Sequence, residues 1–273
     1  MASQEPPSFY QQHPVTLGAR QTRLLHIQPA TSHTDQLRAS LLLHKLDNPS
    51  TAYETLSYVW GLASDLRYLR KPDRPLRIWI DAISINQQDK LEKADQVAIM
   101  GDIYRGATHV NIWLLHTFFS NIALTSSHFH AIPGFSTDPK TNRLTFSETP
   151  EFTAAWEGFR LVAESPWWTR AWTVQEAILP PKLNFLYGSA EPCGFQVMAS
   201  AMDNYWRFGK HLDACCSEAM TLFPREKMDA LGSILGMVGH VGNIFLRRSL
   251  GRGRDFDGRD CFYMVVRAFA SRS

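Results

Sequence analysis

Residues 77–115 constrain the fold of this chain more than any other stretch. An apolar run at Leu76–Ile80 is followed by a polar segment, a segment with helical spacing and a second apolar run at Val110–Leu115. Two buried strands joined by one helix are typical of a βαβ unit, in which the strands are parallel. We therefore predict an α/β fold with a mainly parallel sheet flanked by helices, in which these two strands are neighbours.

The segment between the two strands predicts a loop and then a helix. Polar residues after Asp81 predict a loop at the carboxyl edge of the sheet, where α/β folds bind ligands. Asp89 is the expected N-cap of a helix over Lys90–Arg105, and Gly106 ends it. Its buried stripe is predicted from residues at helical spacing, namely Leu91, Ala94, Val97, Met100, Ile103 and Tyr104.

The residues before this unit predict a hairpin and one more strand. Arg23–Ile27 and Leu37–Leu43 are the expected arms of the hairpin, and residues 1–20, rich in Pro and Gln, are expected to be disordered. Tyr53–Gly61 has the composition of a strand that ends at a glycine. Its end is expected at the same sheet edge as Asp81, and residues 65–70 predict one or two helical turns.

The residues after this unit give weaker signals. Residues 116–143 are expected to be irregular, and their three histidines, His116, His128 and His130, lack a carboxylate or cysteine that would complete a metal site. A helix is expected to begin at Thr149, a second at Trp167–Leu179, and a strand at Leu183–Tyr187. Residues 191–273 predict a mainly helical extension.

Composition excludes several classes of protein. A net charge of +2 on 273 residues does not favour nucleic acid as a partner, and a basic stretch at residues 247–259 is typical of a solvated loop. The longest apolar stretch is too short to span a membrane, and no secretory signal is visible. Four cysteines without metal spacing favour a reducing, cytoplasmic location. The motifs of serine hydrolases, P-loop proteins and zinc proteases do not occur.

Three blocks in order carry a resemblance to a known family. They are YETLSYVWG at Tyr53–Gly61, a long block at Ile78–Tyr104 and WTRAWTVQE at Trp168–Glu176. Together they resemble the heterokaryon-incompatibility (HET) domain of filamentous fungi, which we assign to residues 21–190. The resemblance implies a cell-death effector of non-self recognition, with a flavodoxin-like fold similar to that of TIR immune-signalling domains.

Some TIR domains hydrolyse NAD with a glutamate that follows a tryptophan on a helix, and Trp172–Glu176 is similar to that arrangement. The resemblance thus implies Glu176 as the catalytic carboxylate, NAD as the substrate, and neither a metal nor a separate cofactor. A carboxylate can stabilise the oxocarbenium-like state of nicotinamide–ribose cleavage. The implied substrate-binding residues are Tyr58, Trp60, Gly61, Asp81, Asn86, Gln87, Arg170 and Trp172.

The same residues also fit purely structural roles. Glu176 could cap its helix or pair with Arg170, and Asn86 and Gln87 could only fix their loop. The whole chain could be a non-catalytic module that forms homo-oligomers or recruits a signalling partner, or a degenerate homologue. Members of the family carry a longer segment where this chain has residues 62–77, and they continue beyond the position of Ser273. A deletion, a fragment or an altered gene model would each explain these two departures.

Overall fold

The computed structural model divides the chain into two compact units. The first comprises Met1–Trp113, Gln175–Leu183 and Asp257–Ser273, and the second comprises Leu114–Val174 and Asn184–Phe256. The structure describes residues 9–32, 34–48, 51–59, 66–115, 135–141, 143–150, 152–153, 157, 165–170, 172–187, 193–194, 222 and 224–226. The predicted C-terminal extension therefore lies almost entirely outside the described residues.

The first unit begins with the predicted hairpin. Strand β1 (Gln21–Ile27) pairs antiparallel with β2 (Ala39–Lys45), and Leu24 stands opposite Leu42 at its centre. The apolar residues of β1 are buried, whereas in β2 only Leu41 and His44 are buried and the other positions are exposed. This confirms the hairpin, although its second arm lies two residues later in the chain than predicted.

Three parallel strands complete the sheet of this unit: β3 (Glu54–Tyr58), β4 (Leu76–Trp79) and β5 (Val110–Leu115). β3 pairs with both of the others, and β1 pairs antiparallel with β4, which gives the order β2-β1-β4-β3-β5. The prediction that β4 and β5 are neighbours was wrong because β3 lies between them. The residues at the centre of β3 are buried, which suits an interior strand.

Helix α1 (Asp81–Ser84) stands where the sequence predicted a loop. Its residue Ser84 accepts a hydrogen bond from the Ile80 N–H at 3.2 Å, which closes the turn that leaves β4. Only the residues after α1, from Ile85 to Gln88, form the expected loop. In the earlier connection, the predicted helical turns are one 3-10 turn at Leu66–Tyr68.

Helix α2 (Lys90–Gly106) begins as predicted at Asp89, whose side chain accepts from the N–H groups of Leu91 and Glu92. Its predicted buried stripe is correct only in the second half, at Met100, Ile103 and Tyr104. In the first half Leu91 is 73% exposed, while Glu92 and Gln96 are buried. The reason is polar packing, because Gln96 Nε2 donates to the Gln21 carbonyl at 2.7 Å.

Residues 9–20 form turns against this core, whereas the sequence predicted disorder for residues 1–20. The His13 carbonyl accepts from Arg23 Nε at 2.6 Å, and the Gly18 N–H donates to Asp95 Oδ1 at 2.9 Å. The segment therefore contacts both β1 and α2.

The second unit contains a two-stranded antiparallel sheet of β6 (Phe135–Thr137) and β7 (Leu144–Phe146). β6 lies where the sequence predicted irregular structure. The predicted helix at Trp167–Leu179 is divided into a 3-10 turn at Pro166–Thr169 and helix α3 (Thr173–Ile178), which continues into the first unit. The predicted strand Leu183–Tyr187 is confirmed as β8, and it pairs antiparallel with β9 (Cys193–Gly194).

The architecture is α/β, with a mixed sheet and flanking helices. Parallel pairing is confined to β3, β4 and β5 among the pairs of the first unit, so the sheet is less parallel than predicted. The similarity to TIR and flavodoxin folds stays a prediction.

Candidate functional site

The carboxyl edge of β3 and β4 is where the sequence predicted the site. The two strands are parallel, and Thr55 stands level with Trp79. Continuing this register by two residues brings Ser57 level with Asp81. This edge is the usual ligand-binding edge of a parallel sheet, so the structure brings Asp81 to the expected place.

Glu176 is hydrogen-bonded to β3, and both belong to the first unit. The hydroxyl of Ser57 donates a hydrogen bond to Glu176 Oε2, and both residues are 2% exposed. Glu176 lies in the first turn of α3, where the helix dipole favours a negative charge. Sequence reasoning missed Ser57, because nothing near it in the chain distinguishes it from an ordinary strand serine.

A glycine of α2 allows this approach. A Cβ atom on Gly101 would lie 2.6 Å from Gln175 Nε2 and 3.4 Å from Leu179 Cδ1. Both contacts belong to the segment that carries Glu176, so α2 and this segment pack closely on the Ser57 side of the sheet. Gly101 therefore leaves room for the Gln175 side chain next to Glu176.

Asp81, Asn86 and Gln87 belong to one hydrogen-bonded structure. Gln87 Nε2 donates to the Asp81 carbonyl at 2.9 Å, Asp81 Oδ1 accepts from the Ala82 N–H at 2.7 Å, and Asn86 Oδ1 accepts from the Gln88 N–H at 3.2 Å. These bonds support the simpler interpretation that the amides fix the loop. Within the described part of the chain, however, Gln87 Oε1 is buried without a hydrogen-bond partner. A buried acceptor of this kind is available to a ligand donor.

An ion pair that the sequence did not predict lies behind this loop. Arg23 binds Glu92 through two hydrogen bonds, at 2.6 and 2.9 Å, and both residues are buried. Burial alone would raise the pKa of Glu92, but hydrogen bonds from Arg23 and from the Asn86 N–H outweigh it and lower the pKa. Glu92 therefore stays ionised in the folded protein.

The other predicted site residues are Tyr58, Trp60, Gly61, Arg170 and Trp172. Tyr58 is half-buried at the end of β3, and because strand side chains alternate it points to the opposite face from Ser57. Trp60 and Gly61 lie outside the described residues. In the second unit, Trp172 is 43% exposed, and the Arg170 N–H donates to the Trp167 carbonyl at 3.3 Å.

No metal site is found among the described residues, where no three His, Cys, Asp or Glu side chains are grouped to hold an ion. His116, His128 and His130 fall outside this part of the chain. The helices that the structure describes are all too short or too polar to cross a membrane.

Comparisons with known proteins point to one family. Residues 62–176 match the family model described as heterokaryon incompatibility protein (HET), and Glu176 is the last residue of that match. Heterokaryon incompatibility protein 6, OR allele, of Neurospora crassa is 28% identical over 247 aligned positions, which cover 68% of this chain and 35% of that protein. The chain thus spans about a third of the length of this relative. No solved structure gives a significant match.

Proposed function

Because the chain carries a HET domain over residues 62–176, we propose that it acts in fungal heterokaryon incompatibility, where it triggers cell death on non-self contact. The family match is the observation that carries this proposal. The match includes α1, α2 and β5 and ends at Glu176, so it contains most of the residues that form the carboxyl edge.

For the chemistry we propose hydrolysis of NAD at Glu176. In this reaction the nicotinamide–ribose bond breaks, nicotinamide leaves with the bonding electrons, and water adds to the ribose carbon and releases a proton. The Glu176 carboxylate stabilises the positive charge that develops on the ribose, and Ser57 holds the carboxylate in place. A buried setting strengthens this electrostatic interaction because few water molecules screen it.

Substrate contacts are assigned to the surrounding groups. Gln87 Oε1, which is buried without a partner among the described residues, is the proposed acceptor for a ribose hydroxyl. The same side chain is held by the Asp81 carbonyl. The aromatic face of Trp60 is proposed to stack on the base or on nicotinamide. The backbone of Gly61 and the amide of Asn86 are proposed to contact ribose or phosphate groups.

The burial of Glu176 favours a second candidate. A carboxylate that is 2% exposed and bonded to Ser57 also suits a packing role. In that case the domain is a non-catalytic module, which acts by homo-oligomer formation or by binding a signalling partner. The two candidates differ in whether substrate can reach Glu176.

The deciding experiment is nicotinamide release from NAD by the purified protein, at high protein concentration and with a crowding agent to promote assembly. We expect Glu176→Gln, which keeps the size of the side chain, to lower release by about a hundredfold or more. Glu54→Gln is the matched control, because it changes another glutamate of the same unit that lies at the other end of β3. It should leave release unchanged.

Circular dichroism must show that both variants fold. A folded, assembled wild-type protein that releases no nicotinamide would contradict the enzymatic proposal and favour the non-catalytic module. Cell-death activity in a fungal host would then separate that module from a degenerate homologue.

A further inference from the structure

Arg23 joins three segments of the first unit. Its side chain is 1% exposed. Its Nε donates to the His13 carbonyl at 2.6 Å, its Nη1 donates to the Ser84 carbonyl at 3.2 Å, and both terminal nitrogens bind Glu92. One guanidinium thus connects the N-terminal segment, the end of α1 and the start of α2.

Glu92 extends this connection into the loop at the carboxyl edge. Its Oε1 accepts from Arg23 and also from the Asn86 N–H at 2.7 Å. Any shift of the carboxylate would therefore disturb the backbone of the residue before Gln87. Because a buried charge without its partner is costly, neither side chain can leave this arrangement easily.

The N-terminal segment has further contacts, one of which is the ion pair of Arg20 with Asp102 on α2 at 2.7 Å. The ring centroid of Tyr10 lies 5.0 Å from the Arg23 guanidinium carbon, within the range of a cation–π contact. Near the other end of the segment, the Gly18 N–H donates to Asp95 on α2. Residues 9–20 are therefore placed to influence Arg23.

We propose that Arg23 and Glu92 are a positioning pair through which the N-terminal segment, residues 9–20, sets the conformation of the loop Ile85–Gln88. This inference goes beyond the proposed reaction, because it concerns the ligand-free protein and holds for any ligand that the loop binds. It adds the N-terminal segment, which precedes the match to the family model, to the structures that support the carboxyl edge.

Hydrogen exchange of the full-length protein without ligand tests the pair. In Arg23→Met/Glu92→Leu both charges are removed together, so we expect a thermal midpoint close to that of the wild type. The Asn86 amide loses its acceptor, so exchange in residues 85–88 should become faster by about tenfold or more. Lys93→Ala is the control, since it removes an exposed charge next to Glu92 on the same helix and should not change this exchange.

A second variant tests the coupling to the N-terminal segment and leaves the buried pair intact. Tyr10→Ala/Asp95→Ala/Asp102→Ala removes the contacts of Tyr10 with Arg23 and of Gly18 and Arg20 with α2, and we expect faster exchange in residues 9–20 and, by a smaller factor, in residues 85–88. If the first variant does not fold, the exchange of residues 85–88 in the second variant decides the test.

Wild-type exchange in residues 85–88 of either folded variant would overturn the proposal, and so would an equal increase throughout the chain, which a merely structural role predicts. If the protein hydrolyses NAD, the first variant should raise KM more than it lowers kcat, because Ser57 and not the loop holds Glu176. Exchange is measured without NAD, so failure of the NAD proposal leaves this test intact.

Discussion

One glutamate lies near each end of the parallel strands, and the two are held by different partners. At the amino end of β3, Glu54 Oε2 accepts from Asn111 Nδ2 at 2.7 Å and lies 3.0 Å from His109 Nε2. The side chain of Glu54 is 17% exposed, and that of His109 is 23% exposed. Near the carboxyl end of β4, Glu92 is bound by the fully buried Arg23. The first partner is an imidazole that is partly open to water, whereas the second is a guanidinium that is almost completely buried.

This difference separates an edge that is partly open to water from one that is buried. Burial alone would raise the pKa of Glu54, but bonds from His109 and Asn111, with the charge of Lys71, lower it. The pKa of Glu92 is also lowered, and its partner is a guanidinium that is only 1% exposed. We therefore expect the amino edge to tolerate loss of its carboxylate and the carboxyl edge not to tolerate it.

The largest expected effect comes from removing each carboxylate in turn. Glu92→Leu leaves Arg23 buried without a counter-charge and should lower the free energy of unfolding by about 3–5 kcal/mol. Glu54→Leu leaves His109, whose side chain is 23% exposed and keeps contact with water, so the loss should be about 1–2 kcal/mol. Urea unfolding followed by tryptophan fluorescence measures both. Equal losses would remove the distinction between the two edges.

A smaller effect is expected from pH. The lowered pKa of Glu54 means that its stabilising contribution is present above the ordinary glutamate pKa of about 4.3 and is lost as the pH falls through the folded pKa. Glu54→Gln should therefore lose about 1 kcal/mol at pH 7 and show a shallower decline in stability below about pH 5. Unfolding curves between pH 7 and the acid transition test this. Parallel curves for wild type and variant would contradict it.

The smallest effect concerns Lys71, which acts on Glu54 only through its charge. Lys71→Ala should lower stability by about 0.5 kcal/mol or less, and the loss should disappear in about 1 M salt because screening is then nearly complete. Arg74→Ala in the same exposed loop is the matched control. A loss that persists in high salt would show that Lys71 contributes through packing.

Local signals account for most of what the sequence predicted. The side chain of Asp89 caps α2 through N–H groups two and three residues away, and a proline follows α3 closely. The hairpin, β3, β4, β5 and β8 were likewise predicted from runs of strand-forming residues. Such signals involve neighbours in the chain, so they are visible in a single sequence.

Contacts between distant residues account for what the sequence did not predict. Ser57 and Glu176 are 119 residues apart, and Arg23 and Glu92 are 69 residues apart. Helical spacing made Leu91 look buried, but Arg23 selects Glu92 as the inward side chain at this turn. Helical periodicity ranks apolar positions and cannot anticipate a charged residue that finds its partner on a strand.

The placement of β3 between β4 and β5 has a consequence for the growing chain. β3 is made before both of its neighbours, and the second neighbour is complete only when synthesis reaches Leu115. The hairpin of β1 and β2, by contrast, needs only local contacts and can form as soon as it leaves the ribosome. Until β5 has been synthesised, one edge of β3 has unpaired backbone N–H and C=O groups. Apolar side chains that the fold buries, such as Leu56, are then also exposed, and other chains can bind there. Chaperone binding during synthesis is therefore expected to concentrate on β3.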